Sequence, residues 1–130
     1  MCHQTVSLAA RHLEENGVPT VIMGSARDIV EECGVARFVF TDFPLGNPCG
    51  KPWDAGMQRS IVGIALDVLE RAWMARTTVQ TPFHWGSEEW RDNFMRVDDS
   101  NREALARAGE ERRRRQAEAK KAGREPNGRA

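Results

Sequence analysis

The chain has 130 residues, 40% of them hydrophobic, and its 19 Lys/Arg balance 19 Asp/Glu. That length bounds it to one domain's worth of core at most. Its longest apolar stretches, such as Ile61 to Leu69, contain charge and fall well short of a membrane span. The charge is unevenly spread: residues 99–130 hold ten Lys/Arg against six Asp/Glu, and the first 98 hold nine against thirteen. A mildly acidic body with a mildly basic tail does not by itself imply nucleic acid. The three cysteines are Cys2, Cys33 and Cys49. An odd number without a signal peptide argues against a secreted disulfide framework and for a reducing compartment. The protein is expected to be soluble and cytoplasmic.

In chain order, Thr5 to Asn16 reads as a helix with Val6, Ala10 and Leu13 on one face. Gly17 supplies a left-handed C-cap, and Pro19 prevents continuation. Val18 to Met23 is a short run rich in β-branched residues and is expected to be a buried strand. Ser25 to Asp28 reads as a capping box that opens a short helix, which Gly34 closes. Arg37 to Phe43 is a second strand, followed by a Pro/Gly-rich loop from Pro44 to Pro52. Asp54 then caps a long helix whose Met57, Ile61, Ile64 and Val68 share a face, extended by Leu69 and Trp73.

Helix-strand-helix-strand-helix is the rhythm of a parallel α/β sheet. The fold class is α/β, a partial layer of the Rossmann/flavodoxin kind. Two strands are too few for such a sheet, and no strand feeds the first helix. The rest of the sheet is expected from upstream sequence or from another chain. Residues 76–98 hold His84, Trp85, Trp90 and Phe94, with Pro82 and Gly86 breaking regular structure, and read as an aromatic arm laid across another surface. From Asp99 to Ala122 the chain reads as a solvated helix with Glu103/Arg107 and Glu111/Arg115 pairs, followed by a disordered tail from Gly123 to Ala130. The expected division is 1–75, the C-terminal portion of an α/β domain; 76–98, the arm; and 99–130, the charged helix and tail.

Cys2 lies at the start of the first helix, where the positive end of the helix dipole favours a thiolate. The adjacent His3 can hold that thiolate or shuttle a proton; the plainer alternative is a structural Cys beside a surface His. Cys49 sits in Gly46-Asn-Pro-Cys-Gly-Lys51, which leaves the second strand at the sheet's C-terminal edge. Cys2 is expected at that same edge, where ligands collect in open α/β sheets. Asp42 ends the second strand there. The Gly46 to Lys51 spacing is one residue short of a phosphate loop, and Pro52 stands where Ser or Thr would hold magnesium. Its amides and Lys51 can still receive an anion, or simply shape a rigid turn. Cys33 reads as structural. His3, His12 and His84 have no metal-ligand spacing with the cysteines, which argues against zinc. Arg112 to Arg115 are interleaved with Glu110, Glu111 and Glu118, so a solvated face is preferred to an RNA contact.

Three segments in order carry a resemblance: Cys2-His-Gln-Thr-Val6; Gly17-Val-Pro-Thr-Val21; and Asp42-Phe-Pro-Leu-Gly-Asn-Pro48 with Gly50-Lys-Pro52. Together they resemble the selenoprotein B family of glycine, sarcosine and betaine reductases, with the selenocysteine subunit of D-proline reductase. The likeness spans residues 2 to 75, and the Phe-Pro-Leu-Gly-Asn-Pro piece is its most specific part. It implies reductive cleavage of a carbon–nitrogen bond in an amino-acid-like substrate, with no resident cofactor and with electrons from a dithiol or thioredoxin-type donor. It also implies a pair of chalcogens separated by two residues at a strand-to-helix turn, with Cys2 in one of the two positions. The motif partner of Cys2 is not in this sequence; Cys49, upstream sequence or another chain would supply the second sulfur. On this reading Cys2 and His3 are catalytic, and Asp42, Gly46, Asn47, Cys49 and Lys51 bind substrate. The alternative is a non-catalytic docking subunit or degenerate paralogue that attaches through Trp85, Trp90 and the charged helix.

Overall fold

A computed structural model describes residues 2–94 and 96–122. The chain divides into two compact units, Met1–Arg91 and Asp92–Ala130. The first is mixed α/β. Its elements are α1 (Cys2–Glu15), β1 (Ile22–Gly24), α2 (Arg27–Glu32), β2 (Arg37–Phe40), α3 (Ala55–Arg71) and β3 (Thr77–Gln80). A short α4 (Glu89–Asn93) follows, and α5 (Arg102–Ala122) makes up most of the described part of the second unit.

The three strands form one parallel sheet in the order β1-β2-β3. Side chains alternate across it. Ile22 and Phe38 face one way and pack with Ala10 of α1, Val30 of α2 and Val35. Val39 faces the other way and packs with Ala65 and Val68 of α3, flanked by Met23, Ile64 and Val79. Both faces of β2 are thereby covered, as a parallel strand requires.

Several expected signals act as read. Gly17, at φ +79°, closes α1: its N–H reaches Glu14 and the Val18 N–H reaches Leu13, the paired bonds of a left-handed helix end. Gly34, at φ +70°, closes α2. The Asp54 carboxylate accepts from the Met57 N–H at 2.9 Å and so caps α3. Ile61 and Val68 are buried, and Met57 and Ile64 are half-buried.

Five expectations need correction. A third strand, β3, opens the segment read as an arm; Thr-Thr-Val-Gln has only one strongly apolar residue because the strand is an outer one. β1 starts at Ile22 and not Val18, since Val18 is consumed in closing α1. The buried face of α1 is Ser7 and Ala10, with His3 and Glu14 half-buried; Val6 and Leu13 are 45% and 42% exposed. Finally, no capping box forms: α2 begins after Ala26 with no side-chain cap, and Ser25 serves elsewhere. Trp73 also lies beyond the end of α3 and outside its buried face.

In the second unit α5 carries the expected Glu103/Arg107 and Glu111/Arg115 pairs. Helical spacing alone places them, so they survive without a core. Gly123 to Ala130 lie outside the described residues. No helix among the described residues is long and apolar enough to cross a membrane.

Inside the first unit, one Glu14 oxygen accepts from the Thr20 N–H, the Thr20 hydroxyl and the Arg37 guanidinium. This ties the end of α1 to the start of β2. Partial burial pushes the Glu14 carboxyl up, but the Thr20 hydrogen bonds and the Arg37 charge outweigh it, so the acidity is strengthened overall. A depressed carboxylate stabilises the fold above its unfolded pKa, and that stability is lost as pH falls through the folded value. Glu14→Gln is therefore expected to cost on the order of 1 kcal/mol at pH 7, limited by solvent screening. The gap to wild type should close below about pH 4.5, where the unfolded carboxyl protonates. Urea titrations at several pH values measure it; a gap that is constant down to pH 3 would contradict the account.

Candidate functional site

The first unit concentrates its polar chemistry at the C-terminal edge of the sheet. Strand register sets the frame: Gly24 pairs with Phe40, and Phe40 with Gln80. The next residues, Ser25, Thr41 and Thr81, therefore form a hydroxyl row one step beyond the strands. The Thr41 N–H donates to the Gly24 carbonyl at 3.0 Å, and the Thr81 N–H to the Phe40 carbonyl at 2.9 Å. The Thr81 and Thr41 hydroxyls lie 3.4 Å apart and both residues are buried. The Ser25 Oγ is shielded from solvent without a hydrogen-bond partner among the described residues. The sequence reading missed this row; the signal was a hydroxyl residue after each strand, which needs all three strands to be seen.

Helix α1 starts at this edge. His3 turns inward, and its Nε2 accepts from the Ser25 N–H at 3.1 Å. Nε2 therefore carries no proton, and the proton of the neutral ring sits on Nδ1. The imidazole rests where a side chain at Gly24 would stand: a Cβ there would lie 3.0 Å from His3 Cδ2 and 3.1 Å from Phe38 Cε2. The Ser7 hydroxyl donates to the His3 carbonyl at 2.7 Å, within the first turns of the helix. Cys2, the first residue of α1, is exposed beside this docked ring.

The loop after β2 forms another wall. Asn47 is spent on its own turn: its side chain and its N–H both donate to the Pro44 carbonyl, and its carbonyl accepts from Gly50. Gly46 is exposed at φ +97°, and Cys49 is half-buried. Gly50, at φ +110°, is buried against Met57, Gln58 and Ile61, where a Cβ would lie 3.3 Å from each. Cys33 ends α2 and so sits toward the opposite edge of the sheet, while the Cys49 loop leaves at the Cys2 edge. All three are free thiols.

Beyond β3 the chain folds back over this edge. Trp85 packs edge-on against the buried Phe43 with centroids 5.2 Å apart, and the Lys51 ammonium sits 5.9 Å from the Trp85 ring. Arg91 lies 4.6 Å over Trp90 and bonds both Asp42 and Glu88. Those bonds, Asp42's first, hold the Arg91 proton more firmly than usual. The aromatics Trp85 and Trp90 thus pack on their own unit, not across another surface: β3 returns the chain to the edge that they cover. Arg91 is a further residue missed by the sequence reading. The structure gathers His3, Asp42, Lys51 and the Cys49 loop around one sheet edge. Among the described residues no three His, Cys, Asp or Glu side chains are grouped to hold a metal.

No family model matches the chain, and no solved structure matches it. Over 84 residues, 65% of the chain, it is 30% identical to the D-proline reductase subunit gamma of Acetoanaerobium sticklandii. The matched stretch spans 35% of that relative's length. The likeness is thus partial, to a subunit named for D-proline reductase, and does not single out selenoprotein B.

The Gly24 packing is testable. Gly24→Ala is expected to cost about 1–3 kcal/mol, the usual range for overpacking, and to displace the His3 ring. NMR of the His3 imidazole would report the loss of the Nε2 hydrogen bond; an unchanged His3 spectrum would refute the contact.

Proposed function

We propose that the chain is a thiol- or selenol-dependent reductase component that cleaves a carbon–nitrogen bond in a D-proline-like amino acid, with Cys2 as its redox thiol. The observation that carries this reading is the placement of Cys2. It is an exposed thiol at the start of a 14-residue helix, fixed by the docked His3 at the edge that also bears the Cys49 loop. Kinship with a D-proline reductase subunit supplies the chemistry to ask of that thiol. Asp42, Lys51 and the Gly46–Asn47–Cys49 turn wall the substrate, with Asp42 held by Arg91.

The reaction balances as a two-electron reduction. Cys2 and a second chalcogen, from Cys49 or another polypeptide, give up two electrons and two protons and become linked. The substrate's carbon–nitrogen bond breaks, and its carbon and nitrogen each gain a hydrogen. An external dithiol then reopens the link by exchange. His3 acts as a positioning residue for Cys2, because its Nε2 is already engaged by Ser25. The setting proposed is the cytosol, which keeps such thiols reduced, and the expected partners are another reductase polypeptide and a small amino-acid substrate.

The test is a primary-amine assay with D-proline and dithiothreitol, since opening the ring turns a secondary amine into a primary one. The chain is assayed with the remaining polypeptides of a D-proline reductase. Cys2→Ser is expected to lower turnover by at least about a thousandfold, as loss of a reacting group does. Turnover unchanged in Cys2→Ser, with association retained, would instead establish a docking subunit. That second reading draws on Trp53, which is 99% exposed beside the Cys49 loop.

A further inference from the structure

Strand β3 has β2 on one side and no strand among the described residues on the other. Its Thr77 N–H donates toward β2 at Ala36, and the Thr81 N–H that follows it donates at Phe40. Alternate residues of a ladder bond in opposite directions, so Thr78 and Gln80 turn their peptide groups outward. Open edges are ordinarily guarded by Lys, Pro, inward charges or a bulge. Thr77-Thr-Val-Gln80 contains no charge and no Pro.

Beside this edge, on the α3 side, lies a hollow of about 400 Å³ walled by Ile64, Val68, Ala72, Thr77 and Val79. Trp73 stands at its rim and is 89% exposed. Asp67 and Arg71 also line it, one helical turn apart and 3.7 Å from each other.

We propose that this face joins two copies of the chain. β3 pairs antiparallel with β3 of the second copy across a two-fold axis, and each Trp73 enters the other copy's hollow. The argument for a second copy, and against an unrelated partner, is self-complementarity. A two-fold interface uses the same patch twice, so each feature must sit beside its own complement. Here outward donors alternate with outward acceptors, a projecting indole stands beside an apolar hollow, and an acid stands beside a base. Asp67 of one copy meets Arg71 of the other in the same arrangement. Buried aromatic anchors of this kind dominate interface energy. The inference is independent of the reductase reading, because Trp73, the hollow and the Asp67/Arg71 pair lie away from the Cys2 edge.

Sedimentation equilibrium of the full chain from about 1 to 200 µM tests it, a span that brackets micromolar affinities. A monomer–dimer equilibrium is expected. Trp73→Ala should weaken it at least tenfold. Thr78→Pro should abolish it, since the Thr78 N–H is not used toward β2. Asp67→Arg should also weaken it, and the double swap Asp67→Arg with Arg71→Asp should restore it. The swap sits at exposed positions and keeps the test decisive if either other variant fails to fold. A chain that stays monomeric throughout would overturn the proposal and leave the face to a different protein. A dimer indifferent to Asp67→Arg, or one that the double swap does not restore, would overturn it equally.

Discussion

The arrangement at the sheet's C-terminal edge depends on the missing side chain at Gly24. The His3 ring lies in the space a methyl group there would fill, and its Nε2 takes the next N–H along, that of Ser25. One residue thus fixes the height of α1 over β1 and the orientation of its first turn. Because Ser7 bonds the His3 carbonyl and Ala10 is buried below it, the inward line of α1 runs His3, Ser7, Ala10, Glu14. The buried middle of that line, Ser7 and Ala10, is small, which lets the helix approach the sheet closely. The two ends of the line are held differently, by a histidine acceptor at one and a carboxylate at the other. Cys2 inherits its position from this docking and not from contacts of its own.

A second constraint comes from the return of the chain after β3. Phe43 is buried at the turn that ends β2, and Trp85 stacks on it edge-to-face. The Arg91 guanidinium then bridges Asp42 and Glu88 over the Trp90 face. Asp42 is therefore already paired, so an incoming ammonium would compete with Arg91 for it. A planar guanidinium held by two carboxylates is a stronger competitor than one held by a single charge. Lys51, over the Trp85 ring, is the other cation held at this edge by an aromatic contact.

Most sequence signals of local backbone chemistry translated well, while those of burial translated only where one helix face is strongly apolar. Gly17, Gly34 and Asp54 mark helix ends because left-handed φ and side-chain capping are decided within a few residues. The α3 stripe from Met57 to Val68 was legible because one face is strongly apolar. On α1 the same reasoning chose Val6, Ala10 and Leu13, yet of these the sheet receives only Ala10, with Ser7 beside it. Periodicity finds the apolar face of a helix, and close helix–sheet packing here favours small residues. Ser25 looked like a helix cap, but its N–H is used by His3, a partner 22 residues away. β3 escaped because an outer strand of Thr and Gln lacks an apolar run, and with it went the hydroxyl row and Arg91. The Cys49 loop follows β2, as its place in the chain required, while the start of α1 reaches the same edge through His3 at Ser25, a contact that no local signal announces.

Exposed apolar surface in the first unit is distributed in a way that stability does not account for. Trp53 is 99% exposed and sits at φ +65°, a region that disfavours side chains bearing a Cβ by roughly 1–2 kcal/mol. Its ring gains no packing that would offset the strain. The conformation is imposed from both sides: Gly50 is locked against α3 at φ +110°, and Asp54 must cap the helix at Met57. A glycine would satisfy that geometry without strain. The indole therefore contributes nothing to this fold that its backbone position requires. Trp73 repeats the pattern just beyond the other end of α3, where it leaves the helix face it was expected to extend. The two tryptophans that sequence reasoning took as docking anchors, Trp85 and Trp90, are the ones the unit uses internally. The two left outside flank α3 at its two ends, one beside the Cys49 loop and one beside the open edge of the sheet.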